Sequence, residues 1–481
     1  MMSSHPPGLP NESTAETPTG TVVHEGSENP PFTVLALATE ITAEIFAHCL
    51  PDLLVASKPR TDTAPLLLGR ICSTWRNIAL TTPKLWSRLE IAGAAGSVYT
   101  APWLARAGNQ PLTLSIALAE TTQILAVLKE YAHRWRDVHL DLSFAEFHLF
   151  GPELHLPLLQ RLLIFPRHNA DADAPKHSID AFRNAPALRE LSLSMVSPAG
   201  IALPWAQLTT FTGSRMTFID CLDFLRCMPN LVNCRVDFEA PEDDPVLPVA
   251  RLLPFPFLTS LYISSWNYAH DDPTDILDHI STPALETFEL AASVGHVLYL
   301  EVLQRFLTES ECPLRELILQ VDELNVDYIP VYEIEELLSA LPTLERLELR
   351  LASPKVLATL GRRLAHDPLF LPRLSRVRTS SHLMGFVNGQ VGIPGPPIEQ
   401  RIHHEFAAML EATIAALSTR WAAPDSGTTR QILEYSLTYC DLDSSYDFLV
   451  LQLDRTVAAF QARLDEMAAQ GIKIHVGLAE E

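Results

Sequence analysis

A proline-leucine unit that returns through most of the chain limits what this sequence can fold into. It reads Pro-x-Leu-x-x-Leu-x-apolar, and its cleanest copy is Pro342-Thr343-Leu344 with Leu347 and Leu349. Other copies are Pro157-Leu158-Leu159 with Leu162 and Ile164, Pro186-Ala187-Leu188 with Leu191 and Leu193, and Pro229-Asn230-Leu231 with Cys234 and Val236. Two more are Pro256-Phe257-Leu258 with Leu261 and Ile263, and Pro283-Ala284-Leu285 with Phe288 and Leu290. Weaker ones sit at Leu208 with Phe211, at Pro313-Leu314 with Leu317 and Leu319, and at Leu374 with Val377. Anchor leucines therefore recur every 20 to 30 residues from 159 to 374. A period of that size belongs to stacked arrays, in which a unit buries its apolar face only against its neighbours.

Inside each unit the two-residue step between apolar positions predicts a strand, since alternate side chains enter the core. Between units the apolar spacing turns helical, as in Phe218, Cys221, Leu222 and Leu225, in Val302, Leu303, Phe306 and Leu307, and in Ile334, Leu337, Leu338 and Leu341. Strands joined through helices are expected to lie parallel with right-handed crossovers. Leu112 to Ile116 and Val138 to Leu142 read as opening strands, separated by a helix carrying Ile124, Leu125, Leu128 and Tyr131. Residues 381–399, rich in Gly and Pro, read as a loop. Beyond it, two helices (Ile402 to Leu417, Leu453 to Met467) and two strands (Ile432 to Leu437, Ile472 to Val476) are expected to cap the array at 381–481.

Composition narrows the class. The 481 residues are 47% hydrophobic, enough for a sizeable core. Lys and Arg total 35 against 58 Asp and Glu, a net charge of −23, which disfavours a nucleic-acid partner because binders carry cations to offset phosphate. No run approaches the ~18 apolar residues of a membrane span. The seven cysteines (49, 72, 221, 227, 234, 312, 440) form no Cys-x-x-Cys pair, so buried thiols in a reducing cytoplasmic or nuclear setting are expected. Residues 1–31 hold four Glu and no Lys or Arg, and read as a disordered acidic tail.

Residues 32–90 have a different pattern. Leu37, Ile41, Ile45, Phe46 and Cys49 share one face of a helix closed by Leu50-Pro51. After a polar stretch from Asp52 to Ala64, helical spacing restarts at Pro65 and runs to Leu80, with Leu68, Ile71, Cys72, Trp75 and Ala79 on one face. The segment ends on Thr82-Pro83-Lys84-Leu85-Trp86. These pieces, together with Glu40-Ile41, Glu44-Ile45-Phe46, Ile71-Cys72, Trp75-Arg76 and Ile78-Ala79-Leu80, resemble the F-box in the form common in mushroom-forming fungi. Leu37-Ala38 stands where that family opens on Leu-Pro. With the repeats at 91–380, the whole is similar to F-box proteins carrying irregular leucine-rich repeats, though it lacks the strong asparagine ladder of classical repeats.

The resemblance implies an α/β chain: an N-terminal helical F-box, an irregular leucine-rich-repeat-like solenoid with parallel strands, and a C-terminal α/β cap. It implies a substrate receptor of an SCF-type ubiquitin ligase that docks a Skp-family adaptor, and through it a cullin, and offers a protein substrate the repeat face. Adaptor contacts would come from Leu37, Ile41, Ile45, Phe46, Leu50, Pro51, Leu68, Cys72 and Trp75. Trp86 and Leu89 are expected instead to pack onto the following domain. A non-ligase scaffold with a degenerate F-box is the alternative.

No catalytic motif stands out: there is no Gly-x-Ser-x-Gly, no phosphate loop and no His-Glu-x-x-His, and no cofactor or metal is called for. His403-His404-Glu405 reads as a solvated helix face, and Glu242-Asp243-Asp244 and Asp271-Asp272 read as surface loops. On the face opposite the core, early units offer mostly neutral residues, whereas Arg346, Arg350, Arg376 and Arg378 recur in the last two. Two readings stay open for these arginines: a dock for an acidic or phosphorylated substrate segment, or solvated side chains partly paired with Glu348.

Overall fold

The computed structural model describes residues 34–51, 59–92, 96–117, 122–166, 178–238, 252–265, 273–292, 300–320, 331–350, 353–382, 398–422, 431–440 and 447–478. The expected acidic tail, both acidic clusters and most of the loop expected at 381–399 lie outside these residues.

The recurrent Pro-x-Leu makes a β-turn. The anchor N–H donates to the carbonyl three residues back: Leu344 to Leu341 at 3.2 Å, Leu285 to Thr282 at 3.1 Å, and Leu188 to Ala185 at 3.1 Å. Proline thus takes the second turn position, where its fixed φ fits and no N–H is needed. The anchor side chains enter the core, and Leu159, Leu188, Leu231, Leu285 and Leu344 have no exposed surface. A strand starts two residues after the anchor, as at Thr287 and Arg346.

The strands are β1 (Arg88–Ala92), β2 (Leu112–Ala117), β3 (Trp135–Asp141), β4 (Arg161–Ile164), β5 (Glu190–Ser194), β6 (Thr210–Met216) and β7 (Asn233–Phe238). They continue as β8 (Leu253–Pro254), β9 (Ser260–Ser265), β10 (Ile280–Ser281), β11 (Thr287–Ala292), β12 (Glu316–Gln320), β13 (Arg346–Arg350), β14 (Arg376–His382), β15 (Glu434–Cys440) and β16 (Lys473–Leu478). Fourteen of them form one parallel sheet in chain order; β8 and β10 form a small parallel pair of their own. Ahead of the strands runs a backbone rail in which each residue donates to its counterpart one strand back. Thr259 bonds to Val232, Glu286 to Thr259, Arg315 to Glu286, Glu345 to Arg315, Ser375 to Glu345, Leu433 to Ser375 and Lys473 to Leu433, all at 2.8–2.9 Å.

One expected boundary shifts. The sheet begins at β1, so the boundary set at residue 90 falls inside a strand. At the other end, β15 and β16 are in parallel register with β14, so the helices and strands of the expected α/β cap continue the sheet over residues 398–478. The cause is the same alternation of helix and strand continuing without the Pro-x-Leu turn.

The helices are α1 (Thr39–His48), α2 (Leu68–Ile71), α3 (Ser73–Thr81), α4 (Gly96–Arg106), α5 (Thr122–Glu130) and α6 (Phe144–Phe147). Then follow α7 (Phe218–Cys227), α8 (Leu300–Ser310), α9 (Val331–Ser339), α10 (Pro354–His366), α11 (Ile398–Ala422) and α12 (Asp447–Ala469). Local chemistry sets their starts: the Thr217 hydroxyl accepts from the Asp220 N–H at 3.1 Å and Ser353 from Val356 at 3.3 Å. The buried Arg420 guanidinium on α11 donates to the carbonyls of Leu364, Asp367 and Phe370, answering acceptors that the end of α10 leaves open. One apolar cluster runs from Phe46 to Ile472.

At the N-terminal end the single helix expected from Pro65 to Leu80 is broken. Cys72 is extended (φ −153°, ψ 172°) between α2 and α3, and its Sγ accepts from the Trp75 N–H at 3.4 Å. This break re-aims α3, so that Trp75 meets Phe46 of α1.

Candidate functional site

Two surfaces concentrate the features a partner would use. The first is the small helical unit of α1 to α3. Its core is made by Phe46, Leu68, Ile78 and Ala79, all at most 6% exposed. Leaving those inside turns Ile41 and Ile45 outward, at 54% and 45% exposed, along with Leu35, Leu67 and Ile71. A unit of this size cannot cover all of its own apolar surface.

Of the nine expected contact residues, Ile41 and Ile45 are exposed, while Leu37, Leu50, Pro51, Cys72 and Trp75 are half-buried. Phe46 and Leu68 lie inside and support the face without forming it. Trp86 and Leu89 pack inward as expected. The Trp86 Nε1–H donates to the Ala79 carbonyl at 2.8 Å, and its ring meets Trp103 of α4 edge-on at 4.7 Å. That contact ties the helical unit to the start of the sheet.

The second surface is the open side of the sheet, whose residues line up across strands in register. One rung includes Glu316, Arg346, Arg376, Glu434 and Lys473; the next includes Ile318, Glu348, Arg378, Ser436 and His475. The four arginines singled out from the sequence do stand side by side on β13 and β14. Each also meets a carboxylate. Arg346 pairs with Glu316 at 3.2 Å, and Arg350 with Glu289 at 2.8 Å and Glu348 at 2.6 Å. Arg378 and Arg376 share Glu434, at 3.0 and 3.6 Å. A hydrogen bond from Arg378, with Arg376 and Lys473 nearby, holds the Glu434 carboxyl below the usual glutamate range. Of the two readings left open by the sequence, the pairing with Glu348 is present in Arg350, and register adds glutamates from β11, β12 and β15, so the patch is mixed in charge.

No family model matches this chain, and no curated protein matches it.

A groove of about 500 Å³ crosses the last four strands, lined among others by Arg350, Arg378, Glu434, Ser436, Lys473 and His475. At the opposite end of the same face, a groove of about 220 Å³ is bordered by Arg88, Arg136, Arg161, Thr113 and His139. There Arg136 pairs with Asp137 at 3.1 Å and Arg161 with Glu190 at 2.6 Å. Ahead of residue 190 the face is thus charged, and the mostly neutral stretch expected from the sequence lies on β5 and β9. Mid-face, the Arg235 guanidinium lies 3.4 Å from the Tyr262 ring centre. Lys473 and His475 were not among the residues expected at this site; the alternation Lys473-Ile474-His475-Val476 was the available signal. His403 and His404 are exposed on α11, with the His403 Nδ1 2.6 Å from the Thr456 hydroxyl. Among the described residues no three His, Cys, Asp or Glu side chains converge as metal ligands, and no helix is long and apolar enough to cross a membrane.

Proposed function

We propose that this chain is the substrate-recognition subunit of an SCF-type ubiquitin ligase. Residues 32–90 act as an F-box docking a Skp-family adaptor, and residues from 91 onward act as a leucine-rich-repeat-like domain presenting a protein substrate. The observation that carries the proposal is the exposure of Ile41 and Ile45 on a small helical unit fixed to a large sheet through Trp86. Apolar side chains left outward beside charged, open strands give two surfaces of unlike chemistry, as a bridging receptor needs.

The mechanism is positional. Adaptor and substrate, held on one rigid chain, raise the local concentration of substrate lysines at the ubiquitin-carrying enzyme, and no bond is made by this chain. The test is capture of a purified Skp-family adaptor by the full chain, compared with Ile45→Asp. The wild-type chain is expected to bind at micromolar concentration. The variant is expected to fold and not bind, because it sets an unpaired carboxylate in an apolar contact. A folded wild-type chain that ignores the adaptor leaves a scaffold without a ligase.

A further inference from the structure

The C-terminal end of the open face holds more cationic donors than its own carboxylates use. Arg376 reaches Glu434 only at 3.6 Å, beyond hydrogen-bond distance, and Arg378 bonds the same carboxylate at 3.0 Å. Lys473, exposed on β16, makes no ion pair within 4.0 Å among the described residues, and neither does exposed His475. Glu434 is therefore one negative charge among Arg376, Arg378 and Lys473. Farther in, Arg346 and Arg350 are matched by Glu316, Glu289 and Glu348. The anion-accepting position has moved one to two strands from where the sequence alone would put it.

The register also says how the charge is spread. In one rung Arg376 and Lys473 flank Glu434; in the next Arg378 and His475 flank Ser436. Flanking positions lie two strands apart, roughly 9–10 Å at the usual strand spacing. A single dianion centred between them would sit against the Glu434 carboxylate and be repelled. Two monoanions placed to either side avoid it. A peptide in the polyproline II conformation has three residues per turn and advances about 3.1 Å per residue, so acidic side chains three positions apart share one face and span that distance. The Ser436 hydroxyl, between Arg378 and His475, and the Thr438 hydroxyl one rung on, both lining the groove, can donate to the peptide backbone.

We infer that the groove across β14 to β16 binds a polyproline-II-like segment of a protein partner carrying Asp or Glu at positions three apart, held by Arg378 and, next to it on β14, Arg376 on one side and by Lys473 on the other. This deepens the receptor proposal, resting on the open face as its substrate-selecting surface.

The probe is a short fluorescent Gly-Ser peptide with two glutamates three positions apart, titrated into the full chain at low salt by anisotropy. Controls have one glutamate, two adjacent glutamates, or one phosphoserine. The spaced pair is expected to bind roughly tenfold tighter than any control and to weaken with added salt. Arg376→Glu and Lys473→Glu, with unchanged circular dichroism, are each expected to lose about that factor, whereas Arg346→Gln is not. Best binding by the phosphoserine peptide would overturn the two-anion geometry, and equal binding by wild type and Lys473→Glu would overturn the site. Adaptor capture is measured on the same variants and is expected to be unaffected. Its failure in the wild-type chain counts against the ligase proposal alone, and loss of peptide binding with adaptor capture intact counts against this inference alone.

Discussion

Phe46 and Trp75 meet edge to face, their ring centres 4.8 Å apart and their planes at 61°. This contact joins α1 to α3, and because Phe46 points inward its neighbour Ile45 must point out. Truncation of Phe46 to alanine removes the α1 side of the contact and is expected to cost about 3–5 kcal/mol. Ile45→Asp, at a side chain already in water, is expected to cost less than about 1 kcal/mol. Denaturant unfolding of both variants checks this. Equal losses would mean that Ile45 is part of the core and not of an outward face.

Gly361 on α10 lets that helix lie against α11. A Cβ placed there would come within 2.9 Å of the Ala412 carbonyl carbon and 3.1 Å of its Cβ, and backbone cannot step aside as a flexible side chain can. Gly361→Ala is expected to lower stability by about 1–3 kcal/mol despite alanine's better helix propensity. A stability gain in thermal unfolding would show that the two helices are not pressed together at this point.

Thiol reactivity separates buried cysteines from exposed ones. Burial pushes the Cys234 thiol up to about 12 and raises Cys221 well above its ordinary value, while Cys49 is exposed. Since the thiolate is the nucleophile, iodoacetamide is expected to label Cys49 in the native chain and to reach Cys221 and Cys234 only on unfolding. Peptide mapping by mass spectrometry reads the order, and early labelling of Cys234 would contradict it.

The Glu434 carboxyl titrates below the usual glutamate range because Arg378 bonds it and Arg376 and Lys473 stand near. A depressed folded-state value contributes stability that is fully present above the unfolded-state pKa. It is lost as pH falls through the folded value. Glu434→Gln is therefore expected to narrow its gap from wild type progressively on acidification, and Arg378→Ala to move the Glu434 titration upward. Carboxyl carbon NMR on the two arginine variants, Arg376→Ala and Arg378→Ala, reports the shift. No change in either would place the source of the depression elsewhere.

Much of the architecture was written locally. Pro342 and Leu344 show why: proline selects a turn, the anchor leucine closes it, and the apolar alternation Leu347, Leu349 commits the next residues to a strand with one face inside. The same logic marked nearly every strand from β2 to β14, and the spacing Val302, Leu303, Phe306, Leu307 marked α8. Where a local signal was absent, the expected element differs from the one that forms. The helical spacing from Pro65 to Leu80 gave no sign of the extended Cys72 that divides it.

The sequence by itself determined the period, the strand faces and the core positions, since these depend on side chains a few residues apart. Only the tertiary structure decided the electrostatics of the open face. Arg350 finds Glu289 61 residues away and Arg378 finds Glu434 at a separation of 56, and both meetings follow from parallel register between strands. Charge at such a surface is a sum over neighbours that the chain brings together, and no stretch of sequence contains that sum. The same holds for α1, where adjacent Ile45 and Phe46 are both apolar, and docking against Trp75 chose which one to bury.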